Sequence, residues 1–339
     1  MKPIKHALWM ALLLSACGGN PFLPDGDGSG NGPPGTEGPV GSKGSAITRT
    51  EKTVTTAGKD YGNGFAEGFV LNANDPTDPG DDTFSVDGLA FDGANVYQRG
   101  TTVSDIGPFQ VYEGDSTYTD AVTGTPIDQF LYRAIYGVSD STRTSFAIVR
   151  TGAYIPYGFG GFIYKRNGGV TIPTSGQANY SGSYAGLRDF NGDGGLEYTT
   201  GDMTMGIDFA DFNAGAGVKG EITNRRIFDI SNTEVTDDVV AAINTEYSTA
   251  LTEIPNLLFT VGPGALKSTG EVSQGITSQA GANIFESGKY YAILSDNSDP
   301  LAPLAGEVVG VIVVESNETR GGVSGVTARE TGGFILLRQ

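Results

Sequence analysis

The chain has 339 residues, with 21 basic and 39 acidic side chains, one histidine and one cysteine, for a formal net charge of −18. A balance this acidic repels nucleic acid and anionic lipid surfaces rather than attracting them. The 52 glycines are about twice the usual share, and most are scattered through strand-like runs, as in strongly curved antiparallel sheet.

Lys2 and Lys5 precede an apolar run from Ala7 to Leu14, followed by the small residues Ser15 and Ala16. This is the layout of a secretory signal, and the run is too short to span a bilayer permanently. Leu14-Ser15-Ala16-Cys17 has the form of a bacterial lipobox. Residues 1–16 are therefore expected to be a signal peptide, with lipid attached at Cys17. At about 0.8 kcal/mol per buried methylene, two or three acyl chains hold far more firmly than one. By resemblance to bacterial lipoproteins, Gly18, where Asp would favour retention at the inner membrane, implies transport onward to the outer membrane. Cleavage removes His6, and lipid occupies Cys17. That excludes a Ser-His-Asp triad, a Cys-His dyad, a His-ligated metal and structural disulfides. The only cofactor-like group expected is the covalent lipid. No later stretch has 18 apolar residues in a row, so no second span is expected.

Residues 17–46 are low in complexity, rich in Gly and Pro, and almost without large apolar side chains after Leu23. They are expected to form a flexible tether. As a coil its ends would lie about 30 Å apart.

Residues 47–170 read as an N-terminal β subdomain. Short strands are expected at Phe65 to Leu71, Phe84 to Phe91, Asn95 to Arg99 and Phe109 to Tyr112. A clearer hairpin joins Phe130 to Val138 and Ser145 to Arg150 through the turn Ser139-Asp140-Ser141-Thr142. Tyr157 to Arg166 is a further strand, ending at the turn signal Asn167-Gly168.

Residues 171–339 are more regular. Eight strands are expected: Ala178 to Arg188, Leu196 to Phe209, Val218 to Ile230, Leu257 to Val261, Glu271 to Ser278, Asn283 to Ser295, Glu307 to Glu315 and Val326 to Leu337. Eight antiparallel strands can close into a barrel filled by its own side chains, and closure removes exposed edges. The last strand would then pair with the first. One helix interrupts the series between Thr236 and Ala250. Thr236 is expected as its N-cap, and Asp237 and Asp238 suit the positive end of the helix dipole. Val239, Val240, Ile243, Tyr247 and Leu251 form its apolar face, and Pro255 closes the segment. The fold class is all-β: an N-terminal β subdomain, then an eight-stranded antiparallel β-barrel with one inserted helix.

Three features of the barrel half resemble one family. They are the opening strand Tyr180-x-Gly182-x-Tyr184-x-Gly186; a strand ending Asp208-Phe209, followed by Val218-Lys219-Gly220-Glu221-Ile222; and Gly288-Lys289-Tyr290-Tyr291-Ala292, followed by Glu307-Val308-Val309-Gly310-Val311. Together they resemble the barrel lobe of the transferrin-binding protein B-like surface lipoproteins, a barrel that factor H binding protein shares. The resemblance implies a handle-plus-barrel lobe anchored at the outer membrane, and capture of a protein or solute outside the cell. Such receptors commonly have two lobes, and this chain is long enough for one. Residues 47–170 match no host-contact motif, so transferrin binding itself is not carried over.

Several residues stand out as candidates for chemistry. Asp189-Phe190-Asn191-Gly192-Asp193-Gly194 fits the first half of a calcium loop, but Thr200 stands where the closing Glu belongs, and strands rather than helices flank it. It reads as a polar hairpin turn, and no metal site is assigned. Arg225 and Arg226 are a rare basic pair. On a strand they face opposite sides, so either one forms an internal ion pair and the other an exposed one, or they contact an anionic ligand. Tyr154 and Tyr157 flank an aromatic loop that either packs onto the sheet or stacks on a partner. No local signature supports catalysis, although two carboxylates suffice for glycoside hydrolysis.

The expected function is therefore binding of an extracellular protein or small solute by a lipoprotein held to the membrane through its lipid. The alternatives are a structural envelope lipoprotein with no small ligand and, more distantly, a carboxylate-based hydrolase. Nucleic acid is excluded as a partner by charge. A pocket between the two β regions would favour binding. A filled barrel with a featureless exterior would favour the structural role.

Overall fold

A computed structural model describes residues 36–52, 55–56, 59–60, 68–72, 82–87, 96–114, 117–119, 122–128, 131–152, 160–191, 193–209, 217–259, 265–297, 301, 303–322 and 325–339. Fourteen short strands come first. They are β1 (Thr36–Glu37), β2 (Ile47–Glu51), β3 (Thr55–Thr56), β4 (Lys59–Asp60), β5 (Gly68–Asn72), β6 (Thr83–Asp87), β7 (Val96–Arg99), β8 (Asp105–Ile106), β9 (Phe109–Glu113), β10 (Thr117–Thr119), β11 (Pro126–Asp128), β12 (Tyr132–Val138), β13 (Thr144–Thr151) and β14 (Gly160–Arg166). Ten of them form one sheet in the order β1-β2-β14-β13-β12-β9-β7-β6-β5, with β8 paired to β9. The remaining four make two small ribbons, β3 with β4 and β10 with β11. The expected hairpin is β12–β13, running from Tyr132↔Thr151 to Val138↔Ser145.

The eight expected barrel strands are all present: β15 (Gln177–Asn191), β16 (Leu196–Asp208), β17 (Val218–Asp229), β18 (Leu257–Phe259), β19 (Glu271–Ala280), β20 (Asn283–Ser295), β21 (Glu307–Asn317) and β22 (Thr327–Arg338). β22 pairs with β15 from Tyr180↔Arg338 to Asn191↔Thr327, which closes the ring. Because side chains alternate across a strand, each barrel strand serves two cores. Tyr180, Tyr184, Met203, Met205, Tyr290, Ile312 and Phe334 pack together in the lumen. On the outer wall Ala185, Leu187, Tyr198, Ile293, Val309 and Val311 pack against Val111, Ile135, Phe146, Ile148 and Phe162 of the ten-stranded sheet. The sheet thus rests on the barrel as a handle. β13 is buried on both faces, because Ala147 and Val149 turn the other way into an aromatic layer with Phe84, Tyr97, Tyr112 and Tyr136.

Two adjacent glycines set how close these layers come. A Cβ on Gly332 would lie 2.1 Å from the Tyr184 ring in the lumen, and one on Gly333 would lie 2.1 Å from the Phe146 ring of the handle. β22 therefore admits a ring against each of its faces where most residues would present a side chain.

The helix α1 (Thr236–Tyr247) differs from expectation at its start. Val235 occupies the N-cap position with no side-chain cap. The Thr236 hydroxyl instead accepts from the Ile227 amide at 3.0 Å, tying the helix to β17. A hydrogen-bond partner on a neighbouring strand has displaced the local capping bond. Val239, Val240 and Ile243 pack with Ile227, Ala280 and Phe285 at one end of the barrel. The helix ends three residues early, at Tyr247, where Ser248 is left-handed.

The boundary expected at residue 47 also moves. Residues 36–46, expected as the end of the tether, are held to the body. β1 pairs with β2, and the Val170 amide donates to Lys43 O at 2.6 Å. Fully buried Arg166 donates to the carbonyls of Ser42 and Ser45 at 2.8 and 2.9 Å, and to those of Gly168, Thr269 and Leu294. One guanidinium thus ties the N-terminal segment, the handle and the barrel together, which no local reading of a Gly/Pro-rich tract reveals.

Candidate functional site

The lumen is not an open tunnel among the described residues. One half is packed with the aromatic and aliphatic side chains named above. The half nearer α1 holds a chain of alternating charges: Glu286, Arg225, Glu330, Arg188, Glu197, Arg320 and Glu318. Arg225 donates to both oxygens of Glu286 at 2.6 and 2.8 Å, to Glu330 at 3.0 Å and to Pro255 O at 2.9 Å. Arg188 lies 3.9 Å from Glu330 and donates to Glu197 at 2.5 Å. Arg320 grips Glu197 at 2.6 and 3.1 Å and Glu318 at 2.9 Å. Tyr184 and Thr199 donate to Glu330, and Ser278 donates to Glu286.

Buried charges persist only when paired and hydrogen-bonded, and each of these has such partners. Burial pushes the Glu286 carboxyl up, but Arg225 and Ser278 more than offset that and hold it below the ordinary carboxylate range. Burial also opposes the charge on Arg225, but Glu286 and Glu330 raise its pKa above the usual arginine value.

The basic pair therefore divides as one alternative anticipated. Arg225 is buried and engaged internally, leaving no free face for a ligand. Arg226 points outward, 63% exposed, with Glu234 at 3.6 Å. Asp189 is likewise spoken for. It is fully buried and accepts from Arg329 at 2.9 Å, so its carboxylate faces that arginine rather than a loop ion. Among the described residues no cluster of three or more acidic, Cys or His side chains is arranged to hold a metal. Tyr154, Tyr157, Gly192 and Cys17 lie outside the described residues.

Among the described residues, the concavities on the outside of the body include two of note. The larger, about 460 Å³, runs across the outer wall of β15–β18 and is lined by residues including Asn179, Ser181, Lys219, Glu221 and Leu258. The smaller, about 200 Å³, lies in the seam between handle and barrel. Thr36, Glu37, Gly38, Arg49 and Tyr164 form its handle side, and Lys267, Glu271, Val272, Ser273, Tyr291 and Ala292 its barrel side. Its lining includes the ion pair from Arg49 Nε to Glu271 Oε1 at 2.6 Å. Burial pushes Glu271 up, but Arg49 and Thr269 outweigh it and leave the carboxyl below its ordinary value.

The seam is strongly tied elsewhere too. Arg150 and Glu51, both fully buried, pair at 2.8 Å, and Arg150 also donates to Thr331 of the barrel at 2.8 Å. Thr144 donates to Glu307 at 2.9 Å. Tyr198 of the barrel wall sits beside Arg133 and Glu113 of the handle, and burial pushes its hydroxyl up to about 12.

None of the charged residues of the seam pocket stood out in the sequence. Arg49 and Glu271 are single charges 222 residues apart, with no shared motif. The signal that existed was the scarcity of arginine on strands otherwise rich in apolar and small side chains, since a charge in such a run needs a buried partner.

These features define a two-part β protein, a handle sheet docked on a plugged eight-stranded barrel. No protein-family model matches the chain, and no curated protein matches it. Among solved structures it is similar to a double mutant of the vaccine antigen transferrin-binding protein B from Haemophilus parasuis Hp5, with a TM-score of 0.37 and 10% identity over 76% of this chain and 40% of that one. A single mutant of the same antigen gives a TM-score of 0.34 and 10% identity, over 75% and 43% of the two chains. A structure described as a surface lipoprotein gives 0.30 and 11%, over 60% and 80%. The chain spans less than half the length of the transferrin-binding protein B structures. The architecture itself stands on the strand register above.

Proposed function

We propose that the protein is a lipoprotein held at the bacterial outer membrane through Cys17, and that it binds an extracellular protein or small solute on the outside of its handle-and-barrel body. The observation that carries this is the contrast between a filled lumen and a concave, charged seam between the two β regions. A structural lipoprotein would need neither an accessible pocket nor opposed charges around it. Hydrolysis is disfavoured by the same chemistry. A general acid needs a carboxyl raised by its surroundings, whereas Glu271, Glu286 and Glu318 are all held low by arginines despite burial.

The test is capture of ligand by the purified protein from environmental or host extracts, together with protease shaving of intact cells and palmitate labelling. A bound partner, removal of the body by shaving, and loss of label in Cys17→Ala are expected. Label retained in Cys17→Ala refutes the anchor, and a body untouched by shaving refutes the outward orientation.

A further inference from the structure

The seam pocket has an unusual inventory for so acidic a protein. It carries two cations, Arg49 and Lys267, and two carboxylates, Glu37 and Glu271. Arg49 and Glu271 are paired with each other. Arg49 is only 9% exposed, with its Nε on Glu271 and its Nη1 on the carbonyls of Pro39 and Thr48. Among the described residues its Nη2 makes no hydrogen bond and is not sealed off, and the guanidinium lines the pocket. Lys267, on the barrel side, and Glu37, on the handle side, are exposed. Among the described residues neither side chain makes a hydrogen bond or an ion pair, with the other or with anything else. Among the described residues the pocket therefore offers a rigid guanidinium, an unpaired ammonium and an unpaired carboxylate along its lining.

From this arrangement we infer that the seam pocket binds a small zwitterion of the amino-acid class, its carboxylate at Arg49 Nη2 and Lys267 and its ammonium at Glu37. Three observations select that chemistry. Drug-sized ligands occupy about 300–1,000 Å³, so a pocket of about 200 Å³ takes something smaller. A plain anion would gain at Arg49 and Lys267 but meet Glu37 and the field of a chain with net charge −18. A plain cation would gain at Glu37 but meet two positive charges. Only a ligand carrying both signs satisfies all three free groups. Arginine also suits the carboxylate end, because its planar fork is held in place by its other bonds before the ligand arrives.

The site deepens the binding function proposed above and rests on it only in assuming that the seam faces the medium. The experiment is calorimetric titration of the purified protein with glycine, glutamate, lysine and phenylalanine, and with acetate and ethylamine as single-charge probes. Saturable binding of at least one amino acid is expected, weakened about tenfold or more in Lys267→Ala and in Glu37→Gln, with acetate and ethylamine inert. Both substituted side chains are exposed, so thermal melts of the two variants should match the parent. Arg49→Lys is the third variant. It keeps the charge, loses the fork, and should bind more weakly than the parent. No saturable binding of any of the four amino acids overturns the assignment. So does binding unchanged in both Lys267→Ala and Glu37→Gln, or acetate binding as tightly as the amino acids. Capture of a macromolecule from extracts in the absence of amino-acid binding would sink the pocket while leaving the broader function standing.

Discussion

Replacing Arg225 by methionine removes the one guanidinium that Glu286 and Glu330 share, while keeping much of its volume. The side chain is 2% exposed and spends its donors on Glu286, Glu330 and Pro255 O. After the change, among the described residues, Glu286 keeps the Ser278 hydroxyl and the more distant charge of Arg188, and Glu330 keeps Tyr184, Thr199 and Arg188. Removing one partner of a buried ion pair costs about 3–5 kcal/mol, because the remaining charge is left desolvated. With an unfolding entropy near 2.1 cal/mol/K per residue, a body of roughly 300 residues should lose about 5–8 °C in Tm.

The pH dependence separates this cause from a simple packing defect. In the parent, Glu286 is held below the ordinary carboxylate range, so its stabilising share is present above about pH 4.3 and is lost as pH falls through the lower folded value. In Arg225→Met, burial acts on Glu286 without the guanidinium to offset it, and its pKa should rise. The stability deficit should then be largest at pH 7 and shrink towards pH 5. Urea unfolding of parent and variant at several pH values measures this. Substituting Glu286→Leu in the variant should recover part of the loss. A deficit under about 1 kcal/mol at pH 7, or one that grows on acidification, would refute the buried-charge account.

Gly333→Ala places a Cβ where the Phe146 ring now lies, 2.1 Å away. It should cost about 1–3 kcal/mol by overpacking and raise amide exchange in β13 more than in β19, read by hydrogen-exchange mass spectrometry. Arg166→Leu strands the carbonyls of Ser42 and Ser45, so limited proteolysis should cut residues 36–46 faster than in the parent. Glu271, Glu286 and Glu318 are all held low by arginine partners against the effect of burial. The parent should therefore keep a flat stability plateau above about pH 5 and fall steeply below pH 4 as these carboxylates take up protons; a loss beginning near pH 6 would contradict it.

The alternation of apolar and small or polar residues is a local, period-two property, so it was readable strand by strand. Eight barrel strands from Ala178 to Leu337 and the closing of the last on the first follow from it, and the apolar face of Val239, Val240 and Ile243 follows from the equally local helical period. The opposite orientations of Arg225 and Arg226 follow from the same geometry. Where the reading missed, the cause was a distant partner. Thr236 turns its hydroxyl to Ile227 on β17 instead of capping its own helix, and residues 36–46 are bound by Arg166, about 120 residues along the chain.

By itself the sequence determined the eight strands of the barrel, the fold class and the expectation of an anchor at Cys17, because these depend on patterns of neighbouring residues. Only the tertiary structure decided which charges are spent and which are free. Register brings Arg225 to Glu330 across 105 residues and Arg49 to Glu271 across 222, and a buried charge takes whichever partner the folded sheets bring within reach. Among the described residues, the same docking of handle on barrel leaves Glu37, Lys267 and one donor of Arg49 unpaired around a single pocket.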